Sequence, residues 1–126
     1  MSTLRTNALE GVDAKNSITI VAGAGNITTT NVQEGLCKAW LYHNAGTTIN
    51  DSFAVSSLSD DGTGEYTSNY SVTFTNTTHV TIHCSNQYHQ LDQGQTTTSA
   101  TARHHGSDNS VTDTGRTKVL EMGDLA

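Results

Sequence analysis

Apolar and polar residues alternate with a period of two over much of this chain. Val72 and Phe74 alternate with Ser71, Thr73 and Thr75, continuing the parity of Tyr66 and Tyr70. Val80, Ile82 and Cys84 then alternate with His79, Thr81 and His83. A period of two over such lengths predicts half-buried strands. Asn76-Thr77-Thr78 separates these two runs as a hairpin connection, and Asp60-Asp61-Gly62-Thr63-Gly64 joins the run Phe53–Leu58 to the run that opens at Glu65. Asp-Gly is a turn signal because Gly accepts positive φ. The centre of the chain, Lys38–Cys84, is therefore expected to be an antiparallel meander.

The flanks extend the pattern. Ile18, Ile20 and Ala22 share one face of a strand over Asn16–Ala22, and a Gly-rich turn leads to a second strand over Ile27–Val32. Leu36–His43 follows, with Cys37, Ala39 and Leu41 on one face and Lys38, Trp40 and Tyr42 on the other. Both faces are partly apolar, which marks a central strand. Trp40, with Tyr42 beside it, is expected to anchor the core or a subunit interface. Thr96–Arg103 has two polar-looking faces and a weakly specified register, as at a sheet edge or subunit contact. Arg116–Met122 is the last strand. Gln87–Gln95 and His104–Thr114 are polar and read as loops, where recognition tends to fall. Gln87, Tyr88, His89 and Gln90 in the first, with His104, His105 and Asp108 in the second, are the candidate contact residues. Residues 1–15 show no clean period and read as an extended arm. No stretch carries a helical period. The expected fold is all-β, a small antiparallel β-sandwich or barrel over residues 16–126 with that N-terminal arm.

Composition changes this picture in one respect. Leu, Ile, Val and Phe total 23 of 126 residues, whereas Thr alone supplies 22. Thr is β-branched and suits strands, yet it fills little core. A thin, Thr-rich sheet can gain its missing burial from identical neighbours, so a homo-oligomer, a trimer, is expected. The net charge of −6 speaks against nucleic-acid binding, which needs phosphate neutralisation. No apolar run approaches membrane-spanning length, and Met1–Glu10 has no apolar segment of the signal-peptide kind. Cys37 and Cys84 are expected as two buried thiols in a reducing cytoplasm.

The chemistry-bearing residues form no strong motif. His79 and His83 stand four apart on one strand face, about 13 Å at the usual strand rise, too far to grip one ion. His104-His105-Gly106-Ser107-Asp108 resembles a loop ligand set only loosely. Asp60-Asp61 sits where Asp favours a turn, without an ordered set of calcium ligands. No Ser lies in a nucleophile-elbow pattern. Neither enzyme activity nor a metal or other cofactor is expected.

Several stretches together resemble a β-rich domain of tailed-bacteriophage fibre and other virion proteins. They are Lys38-Ala39-Trp40, the Gly46–Ile49 loop (GTTI), Asp51-Ser52-Phe53-Ala54-Val55-Ser56-Ser57-Leu58, and Asp61-Gly62-Thr63-Gly64-Glu65-Tyr66-Thr67. That family typically shows a KAW start, an S-F/Y-N-V-S-S-I segment and a D-N-G-T-G-D-Y-T turn. Here Ala54 replaces the usual Asn, Leu58 the usual Ile and Asp61 the usual Asn. The resemblance implies a non-enzymatic structural protein of the virion, of the tail-fibre type, made in the host cytoplasm and touching other virion proteins and the host surface. A capsid-surface decoration or knob protein is the alternative within that class. A lectin-like module binding a host surface glycan through Trp40 or the Tyr residues is the alternative outside it. The family shares virion residence rather than one site, so it lends no site residue.

Overall fold

The computed structural model describes residues 19–22, 28–31, 35–44, 46–86, 89–113 and 115–126. The expected arm, 1–15, and Gln87 and Tyr88 lie outside the described residues. Contacts divide the chain into Met1–Gly35 and Leu36–Ala126. In the first unit, β1 (Thr19–Ala22) and β2 (Thr28–Asn31) pair antiparallel, Thr19 opposite Asn31 and Ala22 opposite Thr28.

The second unit is a sandwich of two four-stranded antiparallel sheets. Its strands are β3 (Cys37–Asn44), β4 (Ile49–Phe53), β5 (Val55–Gly62), β6 (Glu65–Tyr70), β7 (Val80–Ser85), β8 (His89–Thr96), β9 (Ser99–His105) and β10 (Arg116–Met122). One sheet has the order β4-β3-β10-β7, the other β5-β6-β9-β8. Alternation explains the packing. Ala39, Leu41 and His43 of β3 are buried, as are Tyr66, Ser68 and Tyr70 of β6 and Thr117, Val119 and Glu121 of β10. They meet in two clusters that join the sheets. Ala39 packs with Tyr70, Phe74 and Ala100, and Leu41 and Val119 pack with Leu58 and Tyr66.

The chain changes sheet four times, and the first change is the corner between β4 and β5. Ala54 stands there in the left-handed region, at φ 55°. The β5–β6 turn closes on Gly64, at φ 69°. Gly64 receives the His104 amide on its carbonyl (2.8 Å) and donates its own amide to Asp113 Oδ1 (2.7 Å).

Four expectations are corrected. The meander stops at Tyr70. The apolar parity continues through Phe74, but Phe74 bridges Leu125 and donates its amide to Thr97, plugging the end of the sandwich. β7 therefore pairs with β10 in the other sheet, not with β6. Residues 89–96 are strand, not loop. β8 is an edge strand, so its residues can stay polar while its backbone pairs with β9. β9 in turn is interior, between β6 and β8, because Ala100 and Ala102 give its inner face a close fit. His104 and His105 end β9 and are buried, so the connection to β10 begins only at Gly106.

Gly64 gives a test of the corner. A Cβ there would lie 2.6 Å from the Thr112 carbonyl oxygen, 2.8 Å from Val111 Cγ1 and 2.9 Å from the His104 carbonyl oxygen. Gly64→Ala should lose about 2–4 kcal/mol in urea unfolding, from left-handed strain plus overpacking. Gly46→Ala has similar φ (74°) but nothing within 4 Å of the new Cβ, and should lose only the strain, about 1–2 kcal/mol. Equal losses would contradict this packing.

Candidate functional site

Two regions of the second unit gather chemistry. The first is the interior. Glu121 points inward from β10 and is fully buried. Its carboxylate accepts the Tyr70 hydroxyl from β6 and the Thr81 hydroxyl from β7 (2.7 Å). Gln95 of β8 donates to Thr81 in turn. His79 Nε2 lies 3.4 Å from Glu121 Oε2, and its ring stacks on Phe74 with centroids 4.0 Å apart. Burial pushes the Glu121 carboxyl up to about 7 against the lowering effect of the Tyr70 and Thr81 bonds, with Asp92 pushing it further up. Burial and the neighbouring Glu121 also raise Tyr70.

A second group of histidines lies alongside. His43 and His104 flank the Tyr66 ring at centroid distances of 5.2 and 5.8 Å. His43 Nδ1 donates to the Asn44 carbonyl (2.8 Å). His104 Nδ1 donates to the Gly64 carbonyl (3.2 Å), while its Nε2 accepts the Thr117 hydroxyl (3.3 Å). Burial lowers both histidines, partly offset by those backbone bonds. His83 has both ring nitrogens buried without a hydrogen-bond partner. Burial, then repulsion from His104, lowers it to about 4, with Asp92 opposing and His43 adding to the drop.

These groups lie between the sheets, so their protonation is coupled to the stability of the fold. Imidazoles and a carboxyl fill space that aliphatic residues would otherwise occupy. Among the described residues, no group of three or more His, Cys, Asp or Glu side chains is placed to hold a metal ion.

The second region is the outer face of the β4-β3-β10-β7 sheet. Register places Trp40 opposite Phe53 on one side and Leu120 on the other, and Leu120 opposite Ile82. The result is an apolar row across all four strands. Phe53 and Ile82 are 55% and 46% exposed, and Val80 beside them is 57% exposed. The next row runs Asp51, Tyr42, Lys118, Cys84. The Lys118 ammonium stands 5.8 Å from the Tyr42 ring centroid. A concavity of about 800 Å³ lies over this face, lined among others by Trp40, Tyr42, Ile82, Arg116 and Lys118.

The candidate residues therefore scatter. Trp40 and Tyr42 share the outer face, each half-buried; Trp40 is no core anchor, because the inward positions of β3 are its neighbours Ala39 and Leu41. The backbone of His89 and Gln90 belongs to β8. His104 and His105 are interior, with His105 Nδ1 donating to the Asn109 carbonyl (3.0 Å). Asp108 is exposed and builds its own turn, accepting the Ser110 amide (3.0 Å) and hydroxyl (2.6 Å), which hold its carboxyl below the usual range. Cys37 and Cys84 are both free, and neither is a buried thiol: Cys37 is half-buried and Cys84 exposed. Sequence reasoning reads Glu121 only as a tail carboxylate paired with Asp124, and misses its burial and the apolar row. An isolated Glu between apolar neighbours, Leu120 and Met122, was a signal for the first; the row needed the register.

Compared with known proteins, the chain matches no family model, no curated protein and no solved structure. No helix among the described residues is long and apolar enough to cross a membrane.

The buried groups fix a pH dependence. His43, His83 and His104 have lowered folded values, so the unfolded chain takes up their protons first. Their contribution is present above about 6.5 and is lost as pH falls. Glu121 acts oppositely: its raised folded value favours the folded state as pH falls from about 7 through the ordinary carboxyl range. His83 and Glu121 shift by similar amounts in opposite senses, so the lowered His43 and His104 decide the sign, and unfolding free energy should drop between pH 7 and 5. His83 alone supplies at most about 3 kcal/mol over the whole acid range, less for screening of a half-buried ring. Glu121→Gln should steepen the drop and His83→Gln should flatten it. Denaturant titrations at the two pH values check this; a flat wild-type profile would contradict it.

Proposed function

We propose that this chain is a non-enzymatic structural protein of a tailed-phage virion, of the tail-fibre type, which assembles with copies of itself and with other virion proteins. The observation that carries the reading is Ala54. It occupies the corner between the sheets at φ 55°, a conformation that Asn tolerates far better than Ala. Asn is the residue usual at this position in the virion family that the chain resembles. The rest of the pattern is also architectural. Ala39 is fully buried, Leu58 and Tyr66 are core, and Gly64 closes the turn under tight contact. Each matched stretch thus serves the corner, the turn or the core, as a shared scaffold motif would. A capsid-surface position would use the same scaffold.

A lectin-like reading draws on one feature, the concavity beside Trp40 and Tyr42. A sugar ring stacks its apolar face on such an aromatic, and Asp51, Asn86 and Arg116 line the same hollow with polar groups. This would make the protein a host-surface adhesin of the particle.

The virion reading is tested on particles. Density-purified particles from lysates in which the chain is made should contain it at a fixed ratio to the major head protein. A chain that stays in the soluble fraction overturns the reading. The scaffold argument has its own check: Ala54→Asn should raise unfolding free energy by about 0.5–1 kcal/mol, by relief of left-handed strain. A loss of stability would remove the support that Ala54 lends.

A further inference from the structure

We propose that the outer face of the β4-β3-β10-β7 sheet seats a second copy of this chain, packed sheet to sheet about a twofold axis running along the strands between β3 and β10. The proposal rests on the self-assembly in the reading above, though not on residence in a virion.

The two outer faces of the sandwich differ in kind. On the β5-β6-β9-β8 sheet, polar side chains satisfy one another across strands. Arg103 pairs with Glu65 (2.8 Å), Thr67 with Thr101 (2.6 Å), and Asn69 donates to Ser57 (3.2 Å) and Ser59 (3.3 Å). Leu91 is the one large apolar residue exposed on its strands. The β4-β3-β10-β7 sheet instead shows the apolar row Phe53–Trp40–Leu120–Ile82, with Val80 and Met122 beside it. Four strands at about 4.8 Å spacing and six residues at about 3.3 Å rise give a projected face of roughly 400 Å². The apolar row is a continuous part of that face, and exposed apolar patches on a soluble domain are often functional. Interdigitating side chains would bring the accessible area nearer the roughly 800 Å² per partner of a standard interface.

The face is complementary to itself. Its aromatic residues lie on β4 and β3 and its aliphatic ones on β10 and β7, while Lys118 stands on β10 and Lys38 on β3 beside Trp40. A twofold axis along the strands keeps each row at its level and reverses the strand order, so β4 faces the partner's β7 and β3 the partner's β10. Phe53 then meets a second Ile82, and Trp40 a second Leu120. In the neighbouring row Tyr42 meets a second Lys118, a cation over an aromatic face, and Asp51 meets a second Cys84. No charge in these rows faces its like. Aligned packing of two sheets is a standard arrangement, and the concavity over β3 and β10 leaves room for the partner's bulky side chains. This face builds a pair; the trimer expected from composition would need a different surface.

The test is sedimentation velocity of the full chain at micromolar concentration. Wild type should sediment as a dimer. Phe53→Lys and Ile82→Glu, at exposed positions, should each keep the fold by circular dichroism and weaken self-association by roughly a hundredfold or more, because each buries an unpaired charge. Mixing the two variants should restore a dimer. In the mixed pair the new lysine faces the new glutamate, and the other contact is the native Phe53–Ile82 pair. As an independent measurement, Asp51→Cys should give a covalent dimer with a short bismaleimide through Cys84 of the second copy, where wild type gives none. A monomeric wild type overturns the proposal. So does an oligomer indifferent to both charges, whether it is a trimer or holds a different partner on this face. Failure of the mixture to re-form a dimer overturns the twofold register. Because the experiment uses purified chain, its failure leaves cosedimentation with particles as a separate result.

Discussion

The structure depends on filling the space between two sheets with few aliphatic side chains. Only 23 of the 126 residues are Leu, Ile, Val or Phe, and Leu36, Phe53, Val80, Ile82, Leu91 and Val111 are exposed. What remains cannot close a sandwich by itself. Aromatic and polar residues complete it: Phe74, Tyr66 and Tyr70, then His43, His79, His104, Thr117 and Glu121. Each polar group buried this way must find a partner or lose its charge. Glu121 does both, accepting bonds from Tyr70 and Thr81 while its carboxyl rises towards neutrality. Burial lowers His43 and His104 instead.

This choice of interior ties the sheets together directionally. Apolar contacts tolerate sliding, whereas the Tyr70–Glu121–Thr81 bonds join β6, β10 and β7 in one arrangement. The His104 bonds to Gly64 and Thr117 do the same for β9, the β5–β6 turn and β10. The corner at Ala54 and the plug at Phe74 then carry the chain between the layers. Of the residues that carry the resemblance, Ala54 and Gly64 lie at the corner and the turn and Ala39, Leu58 and Tyr66 in the core, while Trp40 and Phe53 face outward.

The apolar residues withheld from the core give the protein its second property. Trp40, Phe53, Leu120 and Ile82 fall into one row because antiparallel register sets them opposite one another. The outward row contrasts with the self-satisfied polar lattice on the opposite sheet. Interior and exterior are thus linked: hydrophobic side chains spent outside are replaced inside by groups that titrate.

By itself, the sequence determined the class. Period-two alternation and Thr-rich runs specify strands, and Asp-Gly with Gly64 specifies the β5–β6 turn, because these are local properties of side-chain direction and backbone freedom. The limits of β10 and the two apolar-bearing faces of β3 were legible for the same reason. Tertiary structure alone decided which strands pair. The parity from Tyr66 to Phe74 is the same whether the chain continues in its sheet or crosses to the other, and only the bonds of Phe74 to Thr97 and Leu125 end the strand. β8 looked like a loop because an edge strand is held by backbone bonds to its neighbour, which polar side chains do not reveal. His104 and His105 looked exposed because burial of a histidine depends on partners distant in sequence, here Gly64, Thr117 and Asn109. The apolar row was hidden likewise: its four members span 81 positions' worth of chain order only through register, and register is a property of the assembled sheet.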